Sequence, residues 1–164
     1  MNQAEYKFSY DVYDSIEDLQ KEDAFLLKEA RQVTQNAWAP YSRFRVGAVA
    51  RLKNGQLVIG ANQENASYPA GLCAESVLLS TVGVIYPGEA IETLAVSYEG
   101  DGVPADHPIS PCGICRQRLQ EFEQRTQHPV RLILAGKTGK VYIIPTASML
   151  MPLAFTGDEL DIQL

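Results

Sequence analysis

The chain of 164 residues has three cysteines, Cys73, Cys112 and Cys115, and an odd count at uneven spacing is not the disulfide framework of a secreted protein. Reduced thiols are the expectation. Cys112 and Cys115 stand three apart directly after Pro111, and at the start of a helix this spacing sends both thiols from one face toward a single metal ion. Cys73 opens a second helical stretch. Three protein ligands leave the fourth tetrahedral position of zinc to water, which distinguishes a catalytic site from a closed structural one. There is no fourth cysteine. The only histidines, His107 and His128, each stand beside a proline in a loop, where a solvated or hydrogen-bonded imidazole is the common finding, so neither is counted as a ligand. One Zn²⁺ per chain is therefore expected on Cys73, Cys112 and Cys115. Glu75, two residues after Cys73, can lean toward the open position without coordinating and there act as a proton shuttle. The plain alternative is three core cysteines acting as small hydrophobes, with a surface glutamate.

These groups need elements to hold them. Ser15, with Asp18 three residues on, has the form of a helix start, and Ile16, Leu19, Phe25, Leu26, Ala30 and Val33 follow at roughly helical spacing. A helix over about 15–38 is predicted, ending before Pro40. Residues 46–52 and 56–62 flank Lys53-Asn54-Gly55 and read as a hairpin. Residues 72–84 read as a buried helix opened by Gly71, 91–98 as a strand, and 99–110 as a loop with two glycines and two prolines. A third helix is predicted from Pro111, whose missing N–H suits a first turn, to about Gln124. Strands over 130–135 and 141–144 and a short helix at 147–150 complete the pattern. Strands alternating with helices argue for a single domain over 1–164, a three-layer α/β/α arrangement around a central mixed five-stranded sheet. Residues 1–14 place Tyr6, Phe8, Tyr10 and Tyr13 on mostly alternate positions, as in an added edge strand or an interface arm.

A formal net charge of -6 repels long polyanions, which argues against a nucleic acid polymer as partner. No apolar run approaches the ~20 residues of a membrane span, and the N-terminal residues are acidic and aromatic, so a soluble cytoplasmic protein is expected.

Residues 36–48 (NAWAPYSRFRVGA), 62–69 (NQENASYP), 73–75 (CAE) and 110–117 (SPCGICRQ), in that order, resemble the cytidine deaminases, most nearly their small homotetrameric class. The resemblance implies hydrolytic deamination of cytidine and deoxycytidine to uridine and deoxyuridine plus ammonia, a step of pyrimidine salvage. Zinc lowers the pKa of its water toward ~7, hydroxide attacks C4, and Glu75 carries protons to N3 and then to the departing amine. It further implies that Phe44 packs on the pyrimidine ring, that Asn62 and Glu64 hold the ribose 3′-hydroxyl, and that the Ala74 backbone reads the base edge with Glu75. The Ser110 carbonyl would receive the amine, while Ala66, Tyr68 and Phe155 would reach a neighbouring subunit's nucleoside in a homotetramer with shared sites. Read as residues alone, Phe44 fits core packing, Asn62 and Glu64 a solvated strand end on one face, and Ala66, Tyr68 and Phe155 an ordinary interface or core. One position departs from the family: Ser76 stands where three-cysteine members commonly carry Arg, which leaves helix N-termini, the Ser76 hydroxyl, and Arg116 or another cation to offset three thiolates. A deaminase of another aminopyrimidine nucleoside, of the blasticidin type, is the alternative among enzymes. A non-catalytic zinc-stabilised nucleoside-binding domain is the alternative outside them, and Glu75 weighs against it.

Overall fold

The computed structural model describes residues 1–160. Its sheet is built from β1 (Asp11–Tyr13), β2 (Phe44–Leu52), β3 (Leu57–Ala61), β4 (Ile91–Gly100), β5 (Arg131–Ala135) and β6 (Val141–Ile144), in the order β1-β6-β5-β4-β2-β3. Only the β4–β5 pair is parallel; the other neighbours run antiparallel. Helices α1 (Lys21–Val33), α2 (Ala74–Ile85) and α3 (Gly113–Thr126) cover its faces.

The period of two along each strand assigns the layers. Ala48, Ala50 and Leu52 of β2, Leu94 and Val96 of β4, and Leu132 and Leu134 of β5 pack with Leu78, Leu79 and Val82 of α2 and Leu119 and Phe122 of α3. The intervening residues, Val49, Ala95, Ile133 and Ala135, turn the other way and pack with Leu26, Leu27 and Ala30 of α1. The sheet thus lies between α1 and the α2–α3 pair, as the alternation of elements predicts. A bidentate pair, Arg131 with Asp23 at 2.6 and 2.7 Å, ties α1 to β5.

Two glycines set how closely helices approach. A Cβ at Gly47 would meet the Ala30 carbonyl and, at 2.6 Å, the Thr34 amide; a Cβ at Gly60 would meet the Ala74 carbonyl and, at 2.7 Å, the Leu78 amide. Gly60 therefore lets the first turn of α2 press onto β3, and that turn carries Glu75.

Two expectations need correction. Among the described residues the sheet has six strands, not five, because the alternating aromatic segment at the N-terminus adds β1 to the free edge of β6, pairing Asp11 with Ile143 and Tyr13 with Val141. Tyr10 rests against Tyr142 at 4.9 Å, and the Tyr6 hydroxyl donates to the Met149 carbonyl at 2.9 Å. The helix expected over 15–38 is broken. Asp18 accepts the Ser15 N–H and hydroxyl, both at 3.1 Å, but the turn they close is a 3-10 turn over Ile16–Asp18. Leu19 and Gln20 are then extended, α1 starts at Lys21, and a second 3-10 turn, Thr34–Asn36, ends the segment.

Candidate active site

Cys73 and Cys112 occupy equivalent places, each the extended residue preceding a helix. The Cys73 carbonyl accepts the Val77 N–H at 3.0 Å and the Cys112 carbonyl the Arg116 N–H at 2.9 Å, so each thiol sits at a helix N-terminus where unpaired N–H groups favour negative charge. Cys115 lies in the first turn of α3. The α2–α3 packing brings the three sulfurs within 4.8 Å of one another, with Cys73 and Cys112 3.6 Å apart. Cys115 is buried, Cys73 half-buried and Cys112 exposed, giving the cluster an inner wall and an open side. Three converging soft donors suit zinc.

Glu75 stands beside this cluster with 5% of its surface exposed. Burial is the leading cause raising its pKa above the usual carboxylate value; its own backbone amide opposes, the Cys73 charge adds to the rise, and the Cys115 thiol opposes. The carboxyl is thus held toward its proton-carrying form. A hydrogen bond from Cys115 is the leading cause lowering the Cys73 pKa to about 6; burial opposes it, while Cys112 and the charge of Arg118 assist. Sharing that proton, Cys115 is raised above the ordinary thiol value, with burial acting the same way. Ser76 is buried, its hydroxyl 3.6 Å from the Cys115 sulfur.

A second group of predicted residues gathers at the ends of β2 and β3. Asn62 accepts the Val46 N–H at 2.8 Å and donates to the Phe44 carbonyl at 2.9 Å. One Glu64 oxygen accepts the Tyr41 and Ser42 N–H groups at 2.9 and 3.2 Å, and the other accepts the Ser42 hydroxyl. Phe44 is half-buried and its ring stacks on Tyr98 at 5.0 Å. Gln63 and Leu72 exchange backbone hydrogen bonds at 2.9 Å, which brings this strand end against the loop leading into Cys73.

Residues 20–128 match the cytidine and deoxycytidylate deaminase zinc-binding region. The chain is 36% identical over 136 residues to the cytidine deaminase of Halalkalibacterium halodurans, covering 83% of this chain and 96% of that one. It is 38% identical over 105 residues to a cytidine deaminase of Mycobacterium tuberculosis, covering 62% of this chain and 74% of the other. The fold is similar to the crystal structure of cytidine deaminase from Burkholderia pseudomallei, with a TM-score of 0.69 and 34% identity over 84% of this chain and 100% of that one. The chain belongs to the cytidine and deoxycytidylate deaminase family.

Within this deaminase fold the remaining predicted residues fall into two sets. Ala74 is fully buried at the start of α2, and Ser110 is exposed just before the second cysteine motif. Ala66, Tyr68 and Phe155 are on the outside; Tyr68 is 80% and Phe155 57% exposed. Motif spacing passes over three residues that organise the site. Ser42 bridges Glu64 and the Phe44 backbone. Arg116 donates to the Pro111 carbonyl at 2.8 Å, the Leu150 carbonyl at 3.1 Å and the Ser110 hydroxyl at 3.0 Å, and Gln117 donates to the Phe155 carbonyl at 2.8 Å. Their place in the motifs, Ser42 before Phe44 and Arg116-Gln117 after Cys115, was the available signal. A surface hollow of about 620 Å³ between α2 and α3 runs from Gln117 and Arg118 to Gly83, Val84 and Arg125, and none of the three cysteines lines it.

Proposed function

We propose that this chain, as one domain, binds one Zn²⁺ through Cys73, Cys112 and Cys115 and hydrolyses the 4-amino group of cytidine and deoxycytidine, giving uridine and deoxyuridine plus ammonia. The observation that carries the reading is the buried Glu75 carboxyl beside three thiols that converge from two helix N-termini. A structural metal site has no use for such an acid; a hydrolytic one needs it. When bound, zinc supplies the Lewis acidity that lowers the pKa of water toward ~7.

Glu75 accepts a proton from the attacking water and delivers it to N3 as C4 takes up the oxygen, then takes the remaining proton of that oxygen and passes it to the exocyclic amine, so that the C4–N bond breaks and ammonia leaves. Its raised pKa suits a group that must hold a proton between these transfers. The Phe44 ring lies against the base, Asn62 and Glu64 hold the ribose 3′-hydroxyl, the Ala74 backbone reads the base edge, and the Ser110 carbonyl accepts from the departing ammonia.

The substrate is a free nucleoside, for the charge of -6 repels polynucleotides. The working form is a homotetramer in which Ala66, Tyr68 and Phe155 complete a neighbour's site. The exposure of Trp38, Tyr68, Leu72, Ile114 and Phe155 on a single chain supports such an assembly. Among the described residues no helix is long and apolar enough to cross a membrane, in keeping with a cytoplasmic enzyme of pyrimidine salvage. The test is purified protein with measured zinc content, incubated with cytidine and followed by ultraviolet absorbance. Turnover that stops on chelation and returns with zinc is expected; zinc-loaded protein without turnover overturns the reading.

A further inference from the structure

We propose that Ser42 is a positioning residue that aims the Glu64 carboxylate at the sugar of the nucleoside and so sets discrimination for the 3′-hydroxyl. The proposal rests on the reading of Glu64 as the ribose ligand given above. A carboxylate offers about four lone-pair directions. The Tyr41 and Ser42 N–H groups occupy two of them on one oxygen, and the Ser42 hydroxyl occupies a third on the other. One direction, beside the Ser42 hydroxyl, is left for a further donor, and a sugar hydroxyl is a donor.

Ser42 makes its bond from a fixed position. Its oxygen also accepts the Phe44 N–H at 3.0 Å, while the Phe44 carbonyl is held by the Asn62 amide at 2.9 Å. Phe44 is therefore fastened at both main-chain groups, and its ring rests on Tyr98. Between Ser42 and Phe44 lies Arg43 with φ of 56°, a left-handed conformation that costs a non-glycine residue and persists only when its surroundings hold it. The Arg43 N–H to Ala39 carbonyl bond at 3.0 Å and the two Ser42 bonds supply that hold. The Ser42 bond is also the leading cause keeping Glu64 below the usual carboxylate pKa, hence ionised and acceptor-only.

The experiment compares kcat/KM for cytidine and 3′-deoxycytidine in the zinc-loaded wild type, Ser42→Ala and Ser42→Thr. Wild type is expected to favour cytidine by about tenfold or more, since losing a hydrogen bond to a charged group is worth at least that. Ser42→Ala should pull the ratio toward one, mainly through a higher KM for cytidine, and Ser42→Thr, which keeps the hydroxyl, should retain it. Partial unfolding lowers both rates alike and leaves the ratio unmoved, so the ratio separates positioning from a merely structural role. A wild type that turns over cytidine but does not distinguish the two substrates removes the ribose reading of Glu64, and the inference with it. A wild type that does distinguish them, with the ratio unchanged in Ser42→Ala or lost as fully in Ser42→Thr, overturns the inference alone.

Discussion

Replacing Gly60 with alanine should separate the metal site from the rest of the fold. The new Cβ would lie 2.7 Å from the Leu78 amide and closer still to the Ala74 carbonyl, so α2 must retreat by about 1 Å before ordinary contact with the nearer of the two returns. Both neighbours are backbone and cannot turn aside. Overpacking of this kind costs about 1–3 kcal/mol. A mid-range value of about 2 kcal/mol lowers Tm by about 4–8 °C in a chain of this size. The second consequence is local. Cys73 moves with α2, while Cys112 and Cys115 belong to α3, and metal–ligand distances tolerate only about 0.2 Å. A shift several times larger should weaken zinc binding by about 10–100-fold.

Gly55→Ala is the matched control. Gly55 has φ of 84° with nothing near its Cβ position, so alanine there strains the turn by about 1–2 kcal/mol without touching α2. Thermal unfolding of both variants, with and without zinc, and competition for zinc against a chromophoric chelator give the two readouts. Gly60→Ala should lose stability and zinc affinity, and Gly55→Ala stability alone. A Gly60→Ala protein that binds zinc as tightly as wild type would refute the argument that β3 positions Cys73 through α2.

Glu75→Gln should keep zinc, measured by metal analysis, and lose cytidine turnover by about 10²–10⁴-fold, because the amide keeps the shape but cannot carry protons; near-normal turnover would move the acid–base role elsewhere. Mixing inactive Glu75→Gln with inactive Phe155→Ala chains should restore part of the activity if one chain lends Phe155 to another's Glu75, and an active monomer by light scattering would end that view. Glu99 is held below the usual carboxylate pKa by Lys137 foremost, and by Arg45. Its stabilisation is therefore fully present above the ordinary glutamate pKa and lost as pH falls through the lowered folded value. Lys137→Met should lower Tm by about 1–3 °C at pH 7, an effect that fades toward pH 3; a pH-independent difference would show that the pair contributes by packing alone.

The cysteine cluster and the glutamate beside it were legible because they depend on short spacing: the CxxC motif and Cys-Ala-Glu each span no more than one helical turn, so period and residue type carry the information. The β2–β3 hairpin and the helices opening at Cys73 and Cys112 follow from patterns of similar range. What spacing could not carry was where a side chain's hydrogen bonds end. Asn62 and Glu64 have the alternation of a strand end facing a ligand, yet much of their capacity is spent on the main chain of residues 41–46, some twenty positions away in sequence. Ser15 and Asp18 meet as their spacing predicts, but the turn they close is too short to continue, since Leu19 and Gln20 go extended before α1 begins. The sixth strand was one of two open readings of an aromatic segment, decided by the free edge of β6.

The departure at position 76 is answered in the same terms. Three thiolates around a divalent ion leave a net charge of about −1, which opposes the lowering of a bound water's pKa unless positive potential offsets it. Arg116, the cation nearest in the motif, spends its donors on the neutral Pro111 and Leu150 carbonyls and the Ser110 hydroxyl, so it bonds no cysteine and its charge acts only at a distance. Arg118 does act on the cluster, lowering the Cys73 pKa by its charge, though its exposure leaves that effect open to screening by salt. Ser76 lies on the buried side, where salt does not reach, within hydrogen-bonding distance of Cys115. The two helix N-termini add about half a positive charge each at Cys73 and Cys112. On the reading of a three-thiolate zinc site, Cys73 and Cys112 are met by helix N-termini and Cys115 by the Ser76 hydroxyl, with the Arg116 and Arg118 charges adding at a distance.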